Sequence, residues 1–416
     1  MTHPHVSIIG SAFSGNKGAA AMLESAIESI RAEHPDATFT LFSMYPREDR
    51  VQNRFEGVEL VDARPRPLGV TINTLALLYK ILPPLRPLLR SRSRAISALS
   101  RSDVLLDQMG ISFTDGREKF LLYNVAAILP AFFLKVPVVK CAQAIGPFTN
   151  PINRAVSRMF LPKVHTIVTR GRITHEFAEG LGLTNLVAGS DSAFALQLSG
   201  GERESLARSL DLSFFDGDDT VIGISPSVVV QAKYEAKTGG DYLALMADFT
   251  NGLIADGYRV ALVPHSVRTG TEKTQNNDLP LCAALYARLE QTDRVLFPDH
   301  ELSSQDLRHI IGMCDFFVTS RFHAMVSSLS VGVPCLVIGW SHKYQEVLEM
   351  FELEEWAIGF DRLSPELLRQ RALELVADGP RVAASIASHL PAVIDNTRHQ
   401  ERVILDLLRT PRKASS

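Results

Sequence analysis

Short apolar runs alternate with amphipathic stretches along most of the chain. The first run, residues 6–10, leads through a glycine-containing turn into a helical pattern over residues 19–32. Several later runs are apolar throughout rather than at every second position, which is typical of parallel strands buried on both faces. The predicted strands cover residues 6–10, 37–43, 104–107, 136–141, 166–169, 221–225, 259–263, 294–297, 315–319 and 333–338. The helical patterns between them indicate βαβ units.

These units predict an α/β protein with two Rossmann-like domains that face each other across a cleft. A polar, glycine-containing stretch at residues 198–204 divides the chain near its middle. We therefore expect an N-terminal domain over residues 1–195 and a C-terminal domain over residues 196–385. A C-terminal helix and tail should occupy residues 386–416.

The composition disfavours one class of function and one kind of site. The 416 residues include 43 Lys+Arg and 46 Asp+Glu, for a formal net charge of −3. A nucleic-acid binder would be strongly basic, so that class is disfavoured. The four cysteines are too far apart in sequence for a zinc or dithiol site, and we expect no metal and a reducing compartment.

The expected location is the cytoplasm. The N-terminal residues show no secretory pattern, and the apolar stretch 120–134 is shorter than the roughly 18 residues that a membrane span needs. Residues 64–97 combine arginines with leucines and form a basic insertion in the first domain. That pattern is typical of an interfacial membrane contact, and equally of a solvated insertion whose leucines pack on the domain.

A glycine-rich turn, residues 14–18, directly follows the first strand. Backbone N–H groups at such a turn suit an anion, so Gly15, Asn16 and Lys17 are candidate binding residues. The turn is not a nucleotide-binding P-loop, because the Lys-Ser/Thr pair is absent. The alternative is a tight turn that needs glycine for its backbone alone.

A second turn, residues 141–148, contains Gln143 and a Gly-Pro pair. Either the Gln143 amide faces the cleft and binds a hydroxyl-rich ligand, or the segment is a plain turn. The sequence leaves both readings open.

The segment Thr319-Ser-Arg-Phe-His-Ala324 is the most informative one. It places Arg321 and His323 between the end of a predicted strand and the start of a helix, where ligands bind in open α/β sheets. A guanidinium there matches a carboxylate or phosphate, and an imidazole can transfer a proton near neutral pH. Arg170 and His265 also follow predicted strands, and each of them alone is compatible with a structural role.

Together these motifs resemble the polysaccharide pyruvyl transferase family, over most of the chain. The most specific match is Ser320-Arg-Phe-His-Ala324, followed by Gly332-Val-Pro334. In chain order the matching positions are 15–18, 143–147, Arg170, 264–265 with 277–278, 320–324 with 332–334, and Lys343. The chain departs from the family at Ala19-Ala20 and at Asp107-Gln-Met-Gly110.

The resemblance implies a GT-B-like fold and transfer of a pyruvyl group from phosphoenolpyruvate to two sugar hydroxyls as a ketal. The acceptor would be a polysaccharide or its lipid-linked precursor, on the N-terminal side, and the donor would lie on the C-terminal side. The implied catalytic residues are Arg170, Arg321 and His323. The implied substrate-binding residues are Gly15, Asn16, Lys17, Gln143, His265, Ser320 and Lys343.

This chemistry suits the residues. Phosphoenolpyruvate carries a carboxylate and a phosphate, which two arginines can bind, and protonation of its enol carbon needs an acid such as His323. No cofactor beyond the donor is expected. A nucleotide-sugar glycosyltransferase of the same fold is the alternative, since fold alone does not decide function. A non-catalytic carbohydrate-binding protein is the third hypothesis.

Overall fold

The computed structural model describes residues 3–198, 201, 204, 206–268 and 276–410. The predicted divider at 198–204 and the end of the predicted C-terminal helix and tail at 386–416 therefore lie partly outside the described residues. Contacts divide the chain into two compact units. The first consists of Met1–Ser14, Met22–Ser192 and Ile394–Ser416, and the second of Gly15–Ala21 and Ala193–Val393.

A parallel sheet forms the centre of the first unit. Its strands are β1 (His5–Ile9), β2 (Thr38–Ser43), β3 (Val58–Asp62), β4 (Val104–Asp107), β5 (Val138–Gln143), β6 (Thr166–Thr169) and β7 (Leu186–Ala188). Their order in the sheet is β3-β2-β1-β4-β5-β6-β7. The inner strands β1, β4, β5 and β6 are buried at every position, as the uninterrupted apolar runs predict.

Helices follow most of these strands. They are α1 (Lys17–Glu33), α2 (Glu48–Gln52), α3 (Asn73–Ile81), α4 (Arg86–Arg92), α5 (Arg94–Arg101), α6 (Leu121–Leu134), α7 (Pro151–Phe160) and α8 (Arg172–Gly180). Among the described helices of the chain, none is long and apolar enough to cross a membrane.

The insertion at residues 64–97 folds as consecutive short helices. Prolines prevent one continuous helix: α3 ends at Ile81, a 3-10 turn spans Pro83–Leu85, and α4 follows. Ser93 then interrupts the helical run. Its side chain caps α5 by accepting a hydrogen bond from the Ile96 amide. The segment buries one apolar side in the core and leaves another exposed. The exposed side chains include Leu77, Ile81, Leu82, Leu85 and Leu88.

The second unit contains another parallel sheet, ordered β10-β9-β8-β11-β12-β13. Its strands are β8 (Val221–Ser225), β9 (Arg259–Leu262), β10 (Val295–Leu296), β11 (Phe316–Thr319), β12 (Cys335–Gly339) and β13 (Ala357–Gly359). Its helices are α9 (Val228–Thr238), α10 (Tyr242–Ala255), α11 (Leu279–Tyr286), α12 (Ser304–Gly312), α13 (Phe322–Ser330), α14 (His342–Glu349) and α15 (Pro365–Ala377). A long helix, α16 (Gly379–Arg409), ends the described chain.

The prediction of an α/β protein with two Rossmann-like domains is confirmed, and the boundaries differ in two places. Residues 15–21 belong to the second unit rather than to the N-terminal domain, because the turn pairs with that unit through an isolated bridge between Asn16 and Ser266. At the other end, α16 is continuous from Gly379, so no boundary falls at residue 386. Its part from Ile394 onward belongs to the first unit.

Candidate functional site

Arg321 and His323 lie in the second unit, between the carboxyl end of β11 and the first turn of α13. The Arg321 amide donates to the Thr319 hydroxyl over 2.9 Å, which turns the chain from strand to helix. Arg321 itself is the N-cap residue of α13, with extended dihedral angles, and His323 is the second residue of that helix. The prediction that both residues stand at this strand end is confirmed by the geometry of the two elements.

The Arg321 guanidinium is held in place by Asp278. Its Nε donates to Asp278 Oδ2 over 2.7 Å and its Nη2 to Oδ1 over 2.5 Å. Asp278 is fully buried and also accepts the backbone N–H groups of Val228 and Ser266. A guanidinium has five N–H donors, so three remain for a ligand after this bidentate pair. The sequence predicted a guanidinium that matches an anionic group, and the structure shows that one edge of this guanidinium is bound by Asp278.

The glycine-rich turn packs against the same helix start. A Cβ at Gly18 would lie 1.8 Å from Cγ of His323, so the backbone of the turn lies directly on the imidazole. The Val267 amide donates to the Gly15 carbonyl over 3.2 Å, which fixes the turn beside the loop after β9. The side-chain Oδ1 of Asn16 accepts a hydrogen bond from the Gly18 backbone N–H.

Lys17, a candidate binding residue of this turn, forms a buried ion pair within the protein. Its ammonium donates to Glu301 Oε1 over 2.6 Å, and the two side chains are 1% and 8% exposed. A lysine buried against a carboxylate is neutralised by it and contributes little charge to a ligand. The turn therefore positions His323 and joins two loops of the second unit.

His265, on the loop after β9, is buried with only 3% of its surface exposed. Burial lowers the pKa of this imidazole well below its usual value, and the nearby charges of His323, Arg321 and Arg308 lower it further. His265 is consequently neutral at neutral pH. A neutral imidazole has one donor and one acceptor nitrogen, which suits hydrogen bonding rather than charge.

Ser320 and Lys343 complete the predicted set in the second unit, in different ways. Ser320 is buried, its hydroxyl lies 3.3 Å from the Tyr242 hydroxyl, and its carbonyl accepts the Tyr344 hydroxyl over 3.1 Å. It therefore shapes the strand end. The Lys343 ammonium lies 4.8 Å from the ring centres of both Phe322 and Trp340, at cation–π distance.

Gln143, in the first unit, forms its side-chain hydrogen bonds within the protein. It is fully buried; its Oε1 accepts the Ser112 hydroxyl over 2.6 Å, and its Nε2 donates to Asp107 Oδ1 over 3.0 Å. Asp107 also forms a fully buried ion pair with Lys140. The side chain is thus part of a polar network at the ends of β4 and β5, which agrees with the second of the two possibilities that the sequence left open, a structural turn.

Arg170, at the end of β6, is also buried, with 2% of its side chain exposed. Its Nη1 donates to Asp191 Oδ2 over 3.0 Å, and its backbone N–H donates to the Gln143 carbonyl over 3.3 Å. The structure therefore places Arg170 at a strand end, as predicted, and pairs it with a buried carboxylate.

Sequence reasoning missed the acidic partners. Asp278 lies 43 residues before Arg321, and Glu301 lies 284 residues after Lys17. Neither spacing carries a local signal, because both pairs form only when loops of the sheet meet. The motif at 277–278 was the one available hint, and a buried cation at a strand end calls for a carboxylate nearby.

Comparison with known proteins agrees with the motifs. A family model described as polysaccharide pyruvyl transferase matches residues 16–342. The chain is also 22% identical to the amylovoran biosynthesis protein AmsJ of Erwinia amylovora over 379 residues, which cover 84% of this chain and 86% of that protein.

Solved structures agree with the fold. A UDP-GlcNAc 2-epimerase from Neisseria meningitidis, bound to UDP-GlcNAc, is similar with a TM-score of 0.60 at 11% identity, over 97% of this chain and 100% of that one. A UDP-glucose:anthocyanidin 3-O-glucosyltransferase is similar with a TM-score of 0.54 at 11% identity, over 98% and 99%. At such identities the likeness shows the GT-B-like fold alone.

Proposed function

Because the chain belongs to the polysaccharide pyruvyl transferase family, we propose that it transfers the pyruvyl group of phosphoenolpyruvate to a pair of sugar hydroxyls and releases phosphate. The observation that carries the proposal is the Arg321–Asp278 pair next to His323 at one strand end. It combines an oriented anion-binding group with a group that can transfer a proton.

Arg321 is proposed to bind an anionic group of the donor. Asp278 holds one edge of the guanidinium, so the three remaining N–H groups keep a fixed direction. Preorganised donors stabilise charge without reorganising during the reaction. Phosphoenolpyruvate supplies both a carboxylate and a phosphate for such donors.

His323 is proposed to protonate the methylene carbon of the enol. The C2 carbon then becomes oxocarbenium-like, and a sugar hydroxyl attacks it while its proton returns to His323. Phosphate leaves as its C–O bond breaks, and a second hydroxyl closes the ketal and releases its own proton. The sum is one donor and one diol in, and one ketal and one phosphate out, with the proton balance closed through His323 and phosphate.

His265 and Gly18 are proposed to support His323 rather than to react. The Gly18 backbone lies against the imidazole of His323, and His265 adds no positive charge at neutral pH because burial keeps it neutral. For the first unit, the family resemblance assigns Arg170 to donor binding. That role stays a prediction, because the guanidinium is buried against Asp191.

The acceptor is proposed to be a polysaccharide or its lipid-linked precursor. A membrane-bound acceptor would favour a protein that can reach the membrane surface, and the insertion 64–97 offers exposed leucines together with arginines. We therefore propose a peripheral contact through this segment, in a cytoplasmic protein.

Phosphate release tests the reaction directly. The protein is incubated in D₂O with phosphoenolpyruvate and a panel of methyl hexosides, and each product is analysed by mass spectrometry. We expect phosphate to form only with an accepted sugar, and the new ketal methyl group to carry one deuterium from solvent. Transfer of a sugar from a nucleotide sugar, with no phosphate from phosphoenolpyruvate, would support the glycosyltransferase alternative instead.

A further inference from the structure

A second basic site lies in the first unit, along the edge strand β3. It is a pocket of about 680 Å³ formed by β3, α2, α4 and α5. Five arginines line it: Arg50, Arg90, Arg92, Arg94 and Arg101. Glu59 is the one carboxylate among the described lining residues. We call this site the arginine pocket.

Two of the five arginines have partners within the protein. Arg101 donates to Glu59 over 2.6 Å, which cancels one positive charge. Arg90 donates through Nε to the Tyr79 hydroxyl over 3.0 Å and keeps its full charge. Within the described ranges of the chain, Arg50, Arg92 and Arg94 form no ion pair.

This charge pattern is unfavourable for the protein alone. Four uncompensated guanidinium groups around one pocket repel one another. A bound anion would turn this repulsion into attraction. Asn53, Ser91 and Ser97 add neutral polar groups to the lining. The arrangement therefore fits a ligand that is polar and carries several negative charges.

We propose that the arginine pocket binds a diphosphate group. Guanidinium groups bind phosphate oxygens in bidentate geometry, and a single phosphate is met by one or two of them. Arginines contributed by α2, α4 and α5 leave room for two adjacent phosphates. The diphosphate can belong to the headgroup of a lipid-linked sugar or to a soluble diphosphate; only the lipid-linked source rests on the proposed function.

Calorimetric titration with inorganic pyrophosphate tests the pocket. We expect pyrophosphate to bind more tightly than sulfate at equal ionic strength, and Arg50→Ala, Arg92→Ala and Arg94→Ala each to weaken it about tenfold. Arg92→Lys keeps the positive charge but loses the bidentate geometry of the guanidinium, so the decrease in pyrophosphate affinity should be smaller than for Arg92→Ala. Arg158→Ala, an exposed arginine on α7, is the matched control and should bind as the wild type does.

The proposal is overturned if pyrophosphate binds no more tightly than sulfate, or if the pocket variants match Arg158→Ala. An oligogalacturonate that binds more tightly than pyrophosphate would also overturn it, in favour of an acidic glycan. Arg321→Ala separates this site from the proposed reaction, because it should lose phosphoenolpyruvate affinity and keep pyrophosphate affinity.

Vesicles then identify the source of the diphosphate. Phosphatidylcholine vesicles are prepared with and without a polyprenyl diphosphate, and binding is measured by sedimentation. Binding that requires the polyprenyl diphosphate, and that soluble pyrophosphate competes away, assigns the pocket to a lipid headgroup. Pyrophosphate binding in solution without vesicle binding assigns it to a soluble diphosphate.

Discussion

At the scale of single residues, His323 is the group whose removal should separate binding from chemistry. We expect His323→Gln to keep phosphoenolpyruvate affinity within a few-fold, because Arg321 and Asp278 remain, and to lower kcat by about 10²- to 10⁴-fold. Phosphate release under saturating donor measures kcat, and calorimetry measures the affinity. Phosphate release at the wild-type rate would remove His323 from the mechanism.

His5 makes the stability of the first unit sensitive to acid. Its imidazole is buried between Thr38 and Thr40, and burial, with a smaller contribution from Arg101, lowers its pKa to about 4. In the unfolded chain the His5 imidazole binds a proton near pH 6.5, whereas in the folded protein it binds one only near its lowered pKa of about 4. The contribution of His5 to the free energy of unfolding should therefore be constant above pH 6.5 and fall by about 3 kcal/mol as the pH drops to 4.

Denaturant titrations of wild type and His5→Gln at pH 7.5, 5.5 and 4.5 isolate this effect. The variant should lose part of the acid sensitivity between pH 6.5 and 4, while other groups contribute equally to both proteins. Identical pH dependence in the two proteins would contradict the assignment.

At the scale of elements, the start of α1 is set by tertiary packing rather than by helix propensity. Alanine is better than glycine in a helix by about 1 kcal/mol, so propensity alone predicts that Gly18→Ala stabilises the protein. The new Cβ would lie 1.8 Å from Cγ of His323, so we expect a net loss of about 1–3 kcal/mol instead. Thermal unfolding measures the sign.

Two further variants test the cause of that loss. Gly180→Ala is the matched control, since a Cβ at this helical glycine meets nothing within 4 Å. In the double variant Gly18→Ala with His323→Gly, the His323 atoms that lie 1.8 to 2.3 Å from the new Cβ are absent, so Gly18→Ala should cost little relative to His323→Gly alone. Destabilisation that persists in the double variant would show that the turn fails for another reason.

Elements also show how far the sequence predicts the structure. Central strands such as β1 and β4 follow from apolar runs alone, because both of their faces are covered. The edge strands β3, β7 and β13 escaped prediction because they are partly exposed and short or mixed in polarity. The same holds for the site. The predicted strand end was enough to locate Arg321, whereas its partner Asp278 is brought to it only by tertiary contacts.

At the scale of the whole molecule, the proposed membrane contact makes a measurable prediction. We expect the protein to sediment with phosphatidylglycerol vesicles at low ionic strength and to be released by salt, since each basic side chain near an anionic surface contributes about 1 kcal/mol. Charge reversal of the four arginines at 86, 90, 92 and 94 should release it. If the wild-type protein does not bind these vesicles at low salt, the insertion is a solvated segment without a membrane contact.

Three of those four arginines line the arginine pocket, so an apolar variant separates the two surfaces. Leu77→Ser with Ile81→Ser removes exposed apolar contacts of α3 and leaves the pocket unchanged. It should weaken vesicle binding and keep pyrophosphate binding. Equal loss of both would mean that one surface serves both ligands.

A calorimetric titration of phosphoenolpyruvate into the wild type and into Arg321→Ala measures whether this arginine binds the donor. We expect saturable binding to the wild type, no binding of UDP-GlcNAc, and about a 30-fold or larger loss of phosphoenolpyruvate affinity in the variant, because a hydrogen bond to a charged group contributes about 2 kcal/mol. Equal affinity in both proteins, or binding of UDP-GlcNAc in place of phosphoenolpyruvate, would contradict this expectation.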